Sequence, residues 1–170
     1  MLLRPDADGL RRVMALAPSP VAVVTGRDPA GEPVGMTVSS LTSVSLAPPL
    51  VLISVAAGSS TWARIAPAGR FAVNLLGAGD EELARRFASR TERFGGVGYD
   101  WSAHGLPLLH AAPAAAEFSV VRVDPAGDHD LVLGELVSAR IMQPRAPLVH
   151  HRSAYATTVP LAAVAGERAA

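Results

Sequence analysis

Three clusters of small hydroxyl residues, Thr37-Val38-Ser39-Ser40, Thr42-Ser43 with Ser45, and Ser59-Ser60-Thr61, fall within the one stretch from Gly35 to Thr61. Hydroxyls set beside main-chain N–H groups can hold anions and polar ring edges without cations. Around the first cluster the side chains alternate, with Met36 and Val38 on one side of an extended chain and Thr37 and Ser39 on the other. The third cluster precedes Trp62-Ala63-Arg64-Ile65. That order puts hydroxyls and orphan N–H groups at the first turn of a short helix, where partial positive charge favours phosphate. The same residues also suit half-buried strands and ordinary helix caps, so spacing by itself leaves both readings open.

The elements that must position these groups can be read from periodicity and breakers. Pro48-Pro49 bars helix, and Leu50-Val51-Leu52-Ile53 with Val55 reads as a strand buried on both faces. Upstream, Leu10 to Leu16 is predicted helical, with Leu10, Val13, Met14 and Ala17 at helical spacing and Pro18-Ser19-Pro20 as its stop. Val21 to Thr25 reads as a strand, Arg27 to Glu32 as its turn, and Val34 to Ser39 as the hairpin partner. Asp80 to Ser89 is the clearest helix: Asp80 stands at its cap, Leu83 and Phe87 lie one turn apart, and Glu81–Arg85 and Glu82–Arg86 are spaced for ion pairs. Glu117 to Val123 and Leu131 to Ile141 read as two long antiparallel strands joined at Pro125-Ala126-Gly127. Many short strands and few helices predict a mainly β chain with short helices, closed or nearly closed into an antiparallel barrel that hides its sheet edges.

Composition excludes several kinds of chemistry. Fifteen acidic residues balance fifteen basic ones, every basic residue is Arg, and there is no cysteine. Neutral balance gives no electrostatic reason for nucleic acid or an anionic membrane surface as partner. Without Lys or Cys, Schiff-base, thiol, disulfide and thiolate-metal chemistry are all excluded, so redox work would need a borrowed cofactor. His104 and His110 lack metal-ligand spacing, and the adjacent His150-His151 fall on opposite faces of a strand. Pro18 and Pro20 interrupt the apolar stretch after Arg11-Arg12, which argues against a signal sequence. No run of about 20 apolar residues is present. The expectation is one domain over 1–170 with a core at about 18–158, a flexible tail at about 160–170, and a cytoplasmic location.

The order of these pieces resembles the flavin reductase-like family, the NAD(P)H:flavin oxidoreductases that often serve two-component monooxygenases. The likeness rests on Pro20 to Thr25, Gly35 to Leu52, Ser59-Ser60-Thr61, Gly69 to Asn74, the Gly127-Asp128-His129-Asp130 turn with Leu131 to Leu136, and Pro147 to Tyr155. It implies an FMN-binding split β-barrel working as a homodimer, with FMN or FAD as cofactor, NADH or NADPH as reductant, and a flavin-dependent monooxygenase as possible partner. The resemblance implies that Thr37, Val38, Ser39 and Ser40 contact the isoalloxazine and ribityl region, and that Ile53, Ser54 and Val55 line the ring edge with main chain. Ser59, Ser60 and Thr61 would take the phosphate, His129 would lie beside nicotinamide and flavin, and Arg93-Phe94 would flank the cofactor's outer portion. Arg152 and Tyr155 would reach flavin or dinucleotide phosphate from the closing segment. Trp62 and Trp101 read as packing residues. The chain departs from the pattern at Ala56-Ala57, where a polar or basic residue is usual and Arg64 could substitute. It departs again at His150, an aromatic position, and at Ser153, a glycine position. The alternative on the same barrel is a flavin-binding electron-transfer or storage module without reductase turnover.

Overall fold

Apolar alternation at period two, broken by glycine and proline turns, gives twelve strands, and three short α-helices join them among the described residues. A computed structural model describes residues 3–89 and 92–160. The expected tail therefore lies, from residue 161 on, outside the described residues. In chain order the elements are α1 (Ala7–Met14), β1 (Ser19–Pro20), β2 (Ala22–Arg27), β3 (Pro33–Val38), β4 (Thr42–Leu46), β5 (Pro49–Ala56) and α2 (Ser60–Ile65). They continue with β6 (Arg70–Leu75), α3 (Glu81–Ala88), β7 (Tyr99–Trp101), β8 (Pro107–Leu109), β9 (Ala114–Ala126), β10 (His129–Ile141), β11 (Leu148–His151) and β12 (Ala154–Thr157).

Seven strands form one antiparallel sheet in the order β3-β2-β6-β9-β10-β5-β4. Its inner face gathers Ala22 and Val24 of β2, Val34 and Val38 of β3, Ile53 and Val55 of β5, Phe71 and Val73 of β6, Phe118 and Val132. Strands from both ends of the sheet share this core, so the sheet curls back on itself, with Trp62 and Ile65 of α2 packed into the same interior. Gly134 makes room for it: a Cβ there would lie 2.7 Å from the tip of the Phe71 ring. The curl does not close by a ladder, because β3 pairs only with β2, and β4 only with β5. This is an antiparallel split barrel.

A second layer covers one outer wall. Val21, Val23, Leu76, Ala84, Phe87, Leu109 and Leu148 pack outside the sheet, under α3 and the β11–β12 hairpin. The β7–β8 hairpin is fastened to this wall by buried polar groups. Thr25 Oγ1 donates to the Pro107 carbonyl (2.6 Å), Asn74 Oδ1 accepts from Leu109 N–H (2.8 Å), and Asn74 Nδ2 donates to Thr25 Oγ1 (3.0 Å). Glu117, 3% exposed, accepts from the Ser102 hydroxyl (2.6 Å), the Ser138 hydroxyl (2.6 Å) and His104 Nδ1 (2.9 Å). Burial pushes the Glu117 carboxyl up, but these three donors and the His104 charge outweigh it, and the group lies below its ordinary value.

Two expectations need correction. The strand at 50–55 is not buried on both faces: only Ile53 and Val55 are buried, because no layer covers the outer side of β5. The apolar stripe of the first helix is present but no described residue covers it, leaving Leu10 65% and Val13 54% exposed. The helix itself begins earlier than expected because Asp6 caps it by accepting from Gly9 N–H (2.9 Å).

Candidate active site

Where β3 and the second half of β5 fail to pair, the barrel wall opens into a cavity of about 1300 Å³. Residues 32–37 of the β3 side, Ala56, Gly58 to Thr61, Arg64, Phe87, Ala88 and residues 92–95 line it. Gly35 lets α3 seat against β3, since a Cβ there would meet the Phe87 ring at 2.9 Å. Ser59 caps α2, accepting from Trp62 N–H (3.2 Å), and donates its own hydroxyl toward the Met36 sulfur (3.7 Å). The N–H groups of Ser60 and Thr61, in the first turn of α2, have no intrahelical acceptor.

Arg93 supplies the charge. Its guanidinium donates to the Ser89 carbonyl (2.7 Å), the Gly35 carbonyl (2.7 Å) and Thr61 Oγ1 (2.5 Å), and among the described residues it makes no ion pair with a carboxylate. Burial and the nearby Arg64 charge lower its pKa, though an arginine stays protonated in any case. Arg64, the substitute expected for the missing polar residue before Ser59, is instead tied to Asp28 at 2.7 Å. Among the described residues, an anion entering the cavity thus meets one cation without a carboxylate partner, beside two N–H groups with no intrahelical acceptor.

Most hydroxyls of the expected cradle already have protein partners. Thr37 donates to the Ala84 carbonyl (2.6 Å), fixing α3 on β3. Ser40 Oγ donates to the Ser54 carbonyl (2.8 Å) and accepts from Ser54 N–H (2.9 Å), so one side chain stitches the seam where a strand is missing. Ser39 and Ser60 are exposed, with no hydrogen-bond partner for their hydroxyls among the described residues. Val38, Ile53 and Val55 turn their side chains into the core, leaving only main chain to face a ligand. Since Ala57 N–H bonds Asp128 across the ladder and Ser54 faces the seam, alternation points the Ala56 N–H into the seam as well.

His129 opens β10 opposite Ala56, a cavity residue, with its ring 44% exposed. Its Nδ1 bonds Asp128 (2.8 Å). A carboxylate only accepts, so Nδ1 carries the proton and Nε2 is the free ring nitrogen. Donation from His129, and then its charge, lowers the Asp128 carboxyl. Phe94 lines the cavity and packs edge-on against Phe87 (5.0 Å) and Tyr99 (5.2 Å). Arg152 and Tyr155 are not among the residues lining that cavity. Arg152 sits at the β11–β12 turn, its N–H bonded to the Ala15 carbonyl, and Tyr155 lies under the Arg85 guanidinium at 5.2 Å. Ser153, at the glycine position, has φ +62°, which glycine adopts freely. Trp62 is buried in the core, and Trp101, 44% exposed, packs against Tyr99.

Residues 14–158 match the flavin reductase like domain family. This chain is a member of that family. Within it, the chain is 40% identical over 153 residues to the NADH:riboflavin 5'-phosphate oxidoreductase of Streptomyces pristinaespiralis, covering 88% of this chain and 87% of that one. The solved NADH:FAD oxidoreductase of Streptomyces globisporus in complex with NAD and FAD fragments superposes with a TM-score of 0.87 at 37% identity, over 95% of this chain and 99% of that one. The flavin reductase component of a bacterial two-component tryptophan halogenase superposes at 0.81 with 32% identity, over 89% and 98%. Spacing had not singled out three features of this flavin reductase-like chain: the Arg93–Thr61 bond, the Ser40 stitch and the Ala56 N–H. Each depends on contacts between residues distant in sequence, 32 positions apart for Arg93 and Thr61.

Proposed function

We propose that this chain catalyses reduction of FMN or FAD by NADH or NADPH, acts as a homodimer in the cytoplasm, and passes reduced flavin to a partner monooxygenase. The observation that carries the reading is the seam cavity, which joins an unpaired Arg93 cation, two free N–H groups and an exposed hydroxyl at Ser60. That donor set fits a flavin phosphate tail, and the Ala56 N–H at the seam fits the polar rim of the ring. A bound flavin supplies the hydride-accepting chemistry, so the protein's task is placement and access. Arg93, Thr61, Ser60 and Ser59 hold the anionic tail, Phe94 flanks its outer portion, and Thr37 and Ser40 keep the seam open at a fixed width. His129, its Nδ1 proton pinned by Asp128, presents Nε2 toward the nicotinamide and orients it without itself transferring a proton.

The partner is supported by the resemblance to a reductase component of a two-component halogenase. The homodimer is supported by apolar side chains left uncovered on α1 and on β9–β10, among them Leu10, Val13, Val121 and Ile141. Arg152 and Tyr155, which do not line the cavity of their own chain, would then serve a cofactor bound across that interface. Among the described residues no helix is long and apolar enough to cross a membrane. Mixing the purified chain with NADH or NADPH should produce loss of reduced-nicotinamide absorbance that depends on added FMN or FAD. A protein that binds flavin yet ignores both reductants would be the storage or electron-transfer module instead.

A further inference from the structure

Among the described residues Met36 is the one oxidisable sulfur lining the cavity, in a chain that has no cysteine to intercept oxidants. It is half-buried on β3, and its thioether sulfur receives the Ser59 hydroxyl at 3.7 Å. Ser59 in turn caps α2 and stands beside Ser60 and Thr61, the proposed phosphate end. Of the remaining methionines among the described residues, Met14 is 57% exposed on α1, and Met142 is half-buried against the outer-wall clusters.

We infer that Met36 is a site of oxidation by the by-product of the protein's own reaction, and that its sulfoxide closes the cavity to flavin. The inference rests on the flavin reductase reading. Dioxygen takes two electrons and two protons from reduced flavin, becoming hydrogen peroxide and leaving oxidised flavin. The Met36 sulfur lone pair then attacks one peroxide oxygen. An S–O bond forms, the O–O bond breaks, and the departing hydroxide takes the remaining proton to leave as water. The product is a polar, chiral group where a soft apolar one stood. A sulfoxide oxygen accepts the Ser59 hydroxyl far more strongly than a thioether does, so it draws Ser59 toward Met36 and adds a polar oxygen beside the phosphate end. Because methionine sulfoxide reductases reverse the change, the site would throttle the reductase when its flavin product is not consumed.

The test follows oxygen incorporation by peptide mass during aerobic turnover with NADH, NADPH and FMN, against the same total peroxide added to resting protein. Oxidation at Met36 that runs several-fold ahead of Met14 during turnover, but not with added peroxide, is the expected result. Flavin titration should weaken in step with the Met36 sulfoxide, recover after reductase treatment, and stay constant in Met36→Leu, with each protein normalised to its own starting affinity. Met36 left unmodified while turnover proceeds, or flavin affinity that is indifferent to its oxidation, would overturn the inference and leave the reductase reading intact. Absence of any flavin-dependent oxidation of NADH or NADPH would remove both.

Discussion

Two walls of the same barrel use the same kinds of polar residue for opposite ends. On the outer wall, Thr25, Asn74 and Glu117 are buried to 3% exposure or less, and their groups are spent on main chain and hydroxyls of the β7–β8 hairpin, its turn and β10. At the seam, Thr37, Ser40 and Thr61 also bond within the protein, yet Thr37 and Thr61 line the cavity, and among the described residues Arg93 has no carboxylate countercharge. A polar residue type does not announce a ligand site. What separates the two walls is whether a donor or charge remains unmatched after the chain has satisfied itself.

If that contrast is right, substitutions in the two walls should sort cleanly between stability and binding. Glu117→Ala should have the largest effect, a loss of about 3 kcal/mol in chemical denaturation, because three donors lose their buried acceptor. Flavin affinity per folded molecule should not change. With the Glu117 carboxyl below its ordinary 4.5 in the folded state, its contribution is complete above that value and disappears as pH falls through the folded pKa. The variant should therefore lose this part of the acid dependence of wild-type stability. Arg93→Ala should weaken flavin binding by about 1.5–3 kcal/mol, as a charge-assisted contact does, and should flatten its salt dependence in titrations. Ser40→Ala exposes two unpaired main-chain groups of Ser54 and should cost about 1–2 kcal/mol of stability, measurable as a lower denaturation midpoint. His129→Ala should raise the KM for NADH by about tenfold, equivalent to roughly 1.4 kcal/mol, with a smaller change in flavin affinity. Equal losses of both would remove its assignment to the nicotinamide.

The barrel was largely legible because its signals are local. Alternation at Met36 and Val38, the hydroxyl cap before Trp62 and the charge spacing at Glu81–Arg85 each need no more than five consecutive residues, and each reappears in the structure. Asp80 shows the limit of that reading. It stands at the helix cap, but its carboxylate accepts from Gly77 N–H and pairs with Arg145 rather than capping α3. The division of labour among the hydroxyls was not legible. Ser39 and Ser40 look alike in sequence, and only the approach of β5, fourteen residues on, makes Ser40 a stitch and leaves Ser39 free. The uncovered stripe on α1 shows the same gap from the other side, since helical periodicity marks an apolar face without saying what covers it.

A seam held by one hydroxyl should breathe. Along β5 the amides of Ile53 and Val55 point into the ladder with β10, whereas the Ser54 amide reaches only the Ser40 side chain. Local opening of that single bond needs no loss of the sheet, so deuterium from solvent should replace the Ser54 proton long before those of its two neighbours. Protection that alternates residue by residue within one strand would record how often the barrel parts along its split.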